Sequence, residues 1–319
     1  MSGKGILLDT KFDISNRVEQ FQDVFSGHDI INWQENKPAG PTLTNVKYAI
    51  VWKPTLGLMK GLPNLEVIFS WGAGVDHVFA DPNLPDIPIV RFVDADLTGR
   101  MVEYVVLQVL MHMRQQRRYD QQQRRQQWVE LVDPTASQMR IGIMGFGELG
   151  QASARALLAL GFQINSWSRS PKDMEKVTSF YGDDGLEPFL NQSDILVALL
   201  PHTKETHGIL NSDLIAKLAS DGPFGAPILI NAGRGGSQVE TDLIEALNSG
   251  ALRGVSLDVF ETEPLPKESQ FWELDNAIIT PHSAAVSSAT AVAHHVKKQI
   301  DRYEQGLALQ HVVDPSQGY

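Results

Sequence analysis

Short apolar runs recur along the whole chain, and amphipathic or polar stretches separate them. Such runs, alternating with helical patterns, are typical of buried parallel strands with helices on the faces of the sheet. The pattern therefore predicts an α/β fold. Before residue 100 the runs cover residues 6–8, 48–52, 67–70 and 89–92, and later ones cover residues 163–167, 195–200, 227–231, 254–259 and 277–280.

Helical patterns suggest how these strands are divided between domains. Residues 98–128 carry a broad apolar face that gives way to a stretch rich in glutamine and arginine, and residues 284–307 again show a helical pattern. We expect the polar stretch to be a solvated helix surface or, alternatively, a helix that contacts the other domain or a partner subunit. The predicted domains are residues 1–100 with 284–319, and an inserted domain of residues 101–283.

One apolar run, residues 139–144, leads directly into a glycine-rich turn, and a helical pattern follows over residues 151–160. Strand, G-x-G-x-x-G turn and helix in this order predict a dinucleotide site, because the turn brings backbone N–H groups and a helix N-terminus to the pyrophosphate. The turn consists of Gly145, Phe146, Gly147, Glu148, Leu149 and Gly150.

The next predicted strand ends where the adenosine ribose should bind. NAD sites usually place an acidic residue there, but this chain has Ser168, Arg169 and Ser170. An arginine fork suits a 2′-phosphate, so we expect NADP(H) to be preferred, with NAD(H) still possible. The alternative is that Arg169 is only a solvated turn residue.

Composition narrows the classes of function. The formal net charge of −11 argues against a nucleic-acid or anionic-membrane binder, and the absence of cysteine excludes thiolate chemistry and disulfides.

No apolar run is long enough for a transmembrane helix, and the N-terminus lacks a secretory pattern, so a cytoplasmic location is expected. The histidines lack the partners of a metal site, and His294 and His295 are expected to face solvent.

Three further segments follow predicted strands, where open α/β sheets bind their ligands. They are residues 231–236, 258–264 and 280–285, and they would bring Arg234, Glu263 and His282 to one rim. With the glycine-rich turn, residues 72–77, residues 200–203 and the tail at residues 313–319, the chain resembles the D-2-hydroxyacid dehydrogenase family. Its glyoxylate/hydroxypyruvate reductase branch is the nearest match.

The resemblance implies two doubly wound parallel-sheet domains, a flavodoxin-like substrate domain with an inserted Rossmann domain. It implies NADPH-preferring reduction of small 2-keto acids, glyoxylate to glycolate and hydroxypyruvate to D-glycerate, by a homodimer formed through helices near residues 101–128. Arg234 would bind the substrate carboxylate and polarise the carbonyl. His282 would be the general acid, oriented by Glu263, which the family pattern selects over Glu261.

The resemblance also assigns binding residues. Trp52, Ala73 and Gly74 would line the substrate pocket beside Arg234 and His282, although Trp52 could instead be core packing; Lys53 has no matching role. The cofactor would be bound by the glycine-rich turn at residues 145–150, by residues 168–170 and by Arg234. Further cofactor contacts would come from Leu200, Pro201, Thr206, Ala232, Gly233 and Asp258.

Two rival functions stay open on the sequence. A sibling enzyme with the same catalytic residues would act on a bulkier 2-keto acid. A nucleotide-sensing binding protein or corepressor would keep the fold without turnover. The chain ends too soon for phosphoglycerate-type relatives with regulatory domains, and formate-type relatives would have glutamine in place of Glu263.

Overall fold

The computed structural model describes residues 4–35, 37 and 41–315, so residues 316–319 of the tail motif lie outside the described residues. The chain divides into two compact units, Met1–Leu97 with Ser287–Tyr319, and Thr98–Val286. The domain boundaries predicted from the sequence lie at residues 100 and 284. The assignment of a substrate role to the first unit and a nucleotide role to the second remains a proposal.

The first unit is built on a five-stranded sheet in the order β2-β1-β3-β4-β5, with every pair parallel. This is the flavodoxin-like strand order. Its elements are β1 (Lys4–Thr10), α1 (Val18–Val24), β2 (His28–Asn32), α2 (Pro41–Thr44), β3 (Val46–Trp52), β4 (Val67–Ser70), α3 (Asp76–Phe79), β5 (Ile89–Val90) and, from the end of the chain, α10 (Ala289–Glu304).

Helix α10 packs against α1 and so returns the end of the chain to the first unit. It is shorter than the predicted 284–307, since the Ser288 side chain caps it by accepting a hydrogen bond from the Ala291 N–H. His294 is exposed as expected, but the expectation for His295 is wrong. Its ring packs edge-on against Phe92 at 5.2 Å, because it lies on the inward face of the helix.

The second unit contains a seven-stranded parallel sheet in the order β12-β11-β10-β9-β6-β7-β8. Its elements are α4 (Ala95–Met113, which begins just before the unit boundary), α5 (Gln116–Arg124), β6 (Arg140–Met144), α6 (Glu148–Ala159), β7 (Gln163–Ser168), β8 (Val177–Tyr181), α7 (Leu186–Leu190), β9 (Ile195–Ala198), α8 (Ser212–Ile215), β10 (Ile228–Asn231), α9 (Glu240–Ser249), β11 (Gly254–Leu257) and β12 (Ala277–Ile279).

The strand order of this sheet reverses at β6, which has β7 on one side and β9 on the other. Both units are therefore doubly wound α/β sheets, and the predicted fold class is confirmed. In such sheets the crevice at the reversal point is the usual ligand site. Most loops that carry the sequence motifs leave the carboxyl edge of this sheet, after β6, β7, β9, β10, β11 and β12, whereas the motif at residues 72–77 follows β4 of the first unit.

The predicted helical stretch of residues 98–128 is two helices rather than one. The chain breaks at Gln115, whose φ of 53° lies in the left-handed region. The buried Gln115 amide donates hydrogen bonds to the Val132 carbonyl oxygen and to Asp133 Oδ1, which ties the break to the segment that leads to β6. Within the described residues, no helix is both long and apolar enough to cross a membrane.

Candidate active site

The glycine-rich turn joins β6 to the 12-residue helix α6. Gly145 has a φ of 103°, and a Cβ at Gly150 would collide with the Gly145 carbonyl oxygen, so both positions require glycine. A Cβ at Gly147, the residue that precedes α6, would meet nothing within 4 Å. Space is therefore open beside Gly147 at the start of α6, where a diphosphate would approach the helix N-terminus.

The loop after β7 carries the predicted phosphate-binding arginine. Arg169 is exposed, and the Ser168 hydroxyl donates to the Ser170 carbonyl oxygen at 2.8 Å, which closes the turn around it. The pKa of Glu205 is lowered, chiefly by a hydrogen bond with Thr203 and further by the positive charges of Arg169 and Lys204. The loop after β9 therefore places one exposed acid, Glu205, within electrostatic range of Arg169.

The loops after β9 and β10 lie against each other. A Cβ at Gly233 would lie 2.7 Å from the Leu200 carbonyl oxygen, so only glycine permits this approach. The neighbouring Ala232 is nearly buried. In the first of these loops the Thr206 hydroxyl donates to the Pro201 carbonyl oxygen at 2.7 Å, so this threonine shapes the loop that the sequence assigned to the cofactor.

Arg234 is positioned by a buried amide network. Asn231, fully buried, donates from Nδ2 to the Arg234 carbonyl oxygen at 3.2 Å and to Gln238 Oε1 at 2.9 Å. Gln238 in turn donates to the Val259 carbonyl oxygen at 3.0 Å. This network ties the loop after β10 to the loop after β11, and a Cβ at Gly235 would collide with the backbone of the second loop.

Glu263 and His282 form the central pair of the site. His282 Nδ1 lies 3.0 Å from Oε1 and 2.9 Å from Oε2 of Glu263, and Glu263 Oε1 also accepts from the Phe260 N–H. A carboxylate only accepts hydrogen bonds, so Nδ1 carries a proton and any proton exchanged with a ligand belongs to Nε2. Glu261 is exposed, and its N–H donates to Glu240; of the two candidate acids, Glu263 contacts the imidazole.

Asp258 holds the backbone on both sides of His282. Its carboxylate, 2% exposed, accepts hydrogen bonds from Thr280 Oγ1 at 2.6 Å, from the Ser283 N–H at 2.9 Å and from the Ala284 N–H at 3.0 Å. Its carbonyl oxygen accepts from the His282 N–H at 2.8 Å. This clamp imposes on His282 a φ of 52°, a left-handed conformation that is rare for a residue with a Cβ. The predicted contact of Asp258 with the nicotinamide stays a prediction.

The predicted substrate residues Trp52, Ala73 and Gly74 belong to the first unit. Trp52 is the last residue of β3, and Ala73 and Gly74 lie in the loop after β4. The Trp52 ring is 4.4 Å from the His77 ring, and a Cβ at Gly72 would lie 2.5 Å from the Trp52 ring. His77 Nδ1 accepts from the Lys53 N–H. Trp52 is partly exposed rather than fully buried, and a side chain at position 72 would have to displace its ring.

The structure thus gathers Arg234, Glu263, His282 and Asp258 on adjacent loops of the second unit, with the glycine-rich turn and Arg169 further along the same sheet edge. Among the described residues no His, Asp or Glu group could hold a metal ion. Several supporting residues have no role that the sequence predicted, and most of them have partners that are distant in the chain. These are Tyr104, whose hydroxyl bonds to Thr280, and Thr280, Asn231, Gln238 and Lys204.

Comparison with known proteins places this arrangement among characterised families. The profile described as "D-isomer specific 2-hydroxyacid dehydrogenase, NAD binding domain" matches residues 106–284. A relative in Citrobacter koseri, named glyoxylate/hydroxypyruvate reductase A, is 38% identical over 316 residues, which is 97% of each sequence.

Solved structures match over nearly the whole chain. An NADPH-dependent glyoxylate/hydroxypyruvate reductase from Sinorhizobium meliloti, in complex with NADP and sulfate, superposes with a TM-score of 0.95 at 48% identity, covering 99% of this chain and 100% of that one. A D-isomer specific 2-hydroxyacid dehydrogenase from Xanthobacter autotrophicus, in complex with NADPH and MES, has a TM-score of 0.93 at 36% identity and covers 100% of both chains.

Proposed function

The chain belongs to the D-isomer specific 2-hydroxyacid dehydrogenase family, as its motifs predicted, and from this premise we propose that it is an NADPH-preferring reductase of small 2-keto acids. The proposed reactions are glyoxylate to glycolate and hydroxypyruvate to D-glycerate. The observation that carries the proposal is the Glu263–His282 pair, held beside the Arg234 loop at the carboxyl edge of a sheet whose first turn fits a dinucleotide.

The cofactor-binding residues are proposed because their positions match the phosphate groups of NADPH. The N–H groups at the start of α6 would hold the diphosphate, and Arg169 with Lys204 would bind the 2′-phosphate. Glu205 would then have to turn away from Arg169, which its full exposure permits. Bound NADPH would supply the hydride that reduces the keto carbon.

The protein's own part in the reaction is the control of charge and of one proton. Arg234 would bind the substrate carboxylate with its planar fork and so orient the keto group. His282 would deliver the Nε2 proton to the carbonyl oxygen as negative charge develops there. Glu263, bonded to Nδ1, keeps the ring orientation and stabilises the imidazolium from which that proton leaves. Trp52, Ala73 and Gly74 remain the proposed substrate-binding residues of the first unit.

Steady-state oxidation of NADPH and NADH, followed at the nicotinamide absorbance, tests this proposal. The substrates are glyoxylate, hydroxypyruvate, pyruvate and phenylpyruvate, with His282→Ala as the inactive reference and His294→Ala, an exposed histidine on α10, as its matched control. We expect fast NADPH oxidation with the two small substrates. Activity only with phenylpyruvate would keep the mechanism and overturn the substrate, whereas tight NADPH binding without turnover would favour the nucleotide-sensing protein.

A homodimer and a cytoplasmic location belong to the same proposal. Exposed apolar side chains on the segment after α5 support the dimer: Trp128 is 101% exposed and Val132 is 91% exposed. Apolar side chains grouped in this way commonly mark an interface. Sedimentation equilibrium of the chain and of Trp128→Ala would measure it, and a monomer at all concentrations would refute the dimer.

A further inference from the structure

An arginine-lined cavity lies at the edge of the seven-stranded sheet opposite the candidate active site. It has a volume of about 560 Å³ and opens where α4 meets α5, beside the amino ends of β11 and β12. The residues that matter here are His112 on α4, Gln115 at the break, Arg117 and Arg118 on α5, and Arg253 just before β11. Nothing in the proposed reaction uses this cavity.

Two of its guanidinium groups converge on a neutral oxygen. Arg118 Nη1 and Arg253 Nη2 both donate to Gln115 Oε1, at 2.7 and 2.6 Å. Arg117 Nε donates to the backbone carbonyl oxygen of Asp275 at 3.3 Å. Among the described residues, no carboxylate forms an ion pair with any of these three arginines. The Asp275 carboxylate is exposed at the rim.

The surroundings keep these charges close together, with Arg117 and Arg253 partly buried and Arg118 exposed. Arg253 stacks on the Phe224 ring at 4.3 Å, and its pKa is lowered by burial and by the charge of Arg118. Burial, together with the charges of Arg253 and Arg117, lowers the pKa of His112 to about 4, so this imidazole is neutral at pH 7. The cavity therefore holds three positive charges in a chain whose formal net charge is −11.

We propose that this cavity is a binding site for a small oxyanion of the phosphate class, separate from the cofactor. Guanidinium forks bind phosphate oxygens in pairs, and a multivalent anion would offset the repulsion between Arg118 and Arg253. Because Gln115 also ties the α4–α5 break to Val132 and Asp133, an anion at this point would stabilise the whole junction. The proposal does not depend on the substrate of the enzyme.

Inorganic phosphate and pyrophosphate are the probes, titrated calorimetrically into the full chain at constant ionic strength. Saturating NADP⁺ fills the cofactor site first, so that its phosphate-binding residues do not contribute to the signal. The test variant is Arg117→Gln with Arg118→Gln. The matched control is Arg124→Gln with Arg125→Gln, which removes the same charge at the exposed end of the same segment, outside the cavity.

We expect saturable binding that weakens at least tenfold in the cavity variant and less than twofold in the control. The phosphate-induced rise in Tm should disappear in the cavity variant alone. Loss of fold does not imitate this result, since removing two repelling cations should leave the anion-free Tm unchanged or higher. No saturable binding by the wild-type chain, or equal weakening in both variants, would overturn the proposal.

A carboxylate from a second copy of the chain is the rival occupant. Sedimentation equilibrium of the wild type and the cavity variant, with and without phosphate, separates the two cases. If phosphate does not bind and the cavity variant alone shifts the monomer–dimer equilibrium, the cavity accepts a protein carboxylate and the phosphate site is refuted. An unchanged equilibrium together with phosphate binding supports the site.

Discussion

Replacing Asp258 with alanine should release the loop that carries His282, and it should lower kcat more than NADPH affinity. The substitution removes three hydrogen bonds to a buried carboxylate and leaves the Ala284 N–H buried without its acceptor. The buried donor left without an acceptor costs about 1–3 kcal/mol and each of the other two hydrogen bonds about 0.5–1.5 kcal/mol, so we expect the free energy of unfolding to fall by about 2–6 kcal/mol. The left-handed conformation of His282, which costs about 1–2 kcal/mol, would relax as well.

The catalytic consequence follows from geometry rather than from stability. A displacement of about 1 Å in a catalytic group can reduce the rate about 100-fold. We therefore expect kcat with glyoxylate to fall about 10- to 100-fold, a range taken from that relation, while the Kd for NADPH changes by less than about threefold. Asp258→Asn, which retains one carbonyl acceptor, should show a smaller loss of both stability and kcat.

Asp194→Ala is the matched control for this experiment. Asp194 is 4% exposed and pairs with Arg140 at the opposite edge of the same sheet, with Arg140 Nη2 2.7 Å from Asp194 Oδ1. Its loss should lower stability comparably but leave kcat nearly unchanged. Urea unfolding, NADPH fluorescence titration and steady-state kinetics on the three variants provide the data. If Asp258→Ala is destabilised as much as Asp194→Ala but keeps the wild-type kcat, the hydrogen bonds of Asp258 do not position His282 for catalysis. If the affinity for NADPH falls as much as kcat, Asp258 contacts the cofactor directly.

Three further predictions use the same assays. His282→Ala should reduce kcat by orders of magnitude and leave the NADPH Kd nearly intact; a large loss of cofactor binding would contradict its role as general acid. Arg169→Ala should weaken NADPH at least tenfold more than NADH, and equal effects would show that Arg169 does not bind the 2′-phosphate. The pKa of His112 is about 4 in the folded chain, below its ordinary value of 6.5. The unfolded chain therefore binds the proton at a higher pH than the folded chain, and the free energy of unfolding falls as the pH drops from about 6.5 to 4. That loss should reach about 2–3 kcal/mol in urea unfolding and be absent in His112→Gln, whereas an unchanged pH profile would refute the burial argument.

Several features of this protein could be predicted from short stretches of sequence. The buried parallel strands appear as apolar runs because both of their faces are covered. The glycine-rich turn is recognisable because local backbone geometry requires its glycines. Gly145 has a φ of 103°, and a Cβ at Gly150 would collide with the Gly145 carbonyl oxygen. The chemistry-bearing loops follow strand ends, so their convergence on one sheet edge could also be expected.

Two of the four edge strands, β2 and β8, could not be recognised in the sequence, for a physical reason. β2 and β8 lie at the outer edges of their sheets and are partly exposed, so they lack the continuous apolar run of a central strand. The break at Gln115 was likewise hidden, because the helical pattern of its neighbours continues through it. What ends the helix there is a set of hydrogen bonds to Val132 and Asp133, which are distant along the chain.

The sequence by itself determined the fold class, the dinucleotide-binding turn and the candidate catalytic residues Arg234, Glu263 and His282. It could do so because backbone preference and burial depend mainly on residues that are close together in the chain. Only the tertiary structure decided that Asp258 clamps the backbone around His282 and that Arg118 and Arg253 share one cavity. Each of these depends on side chains brought together by different loops. Their separation in space is set by strand order and packing, which no single stretch of the chain encodes.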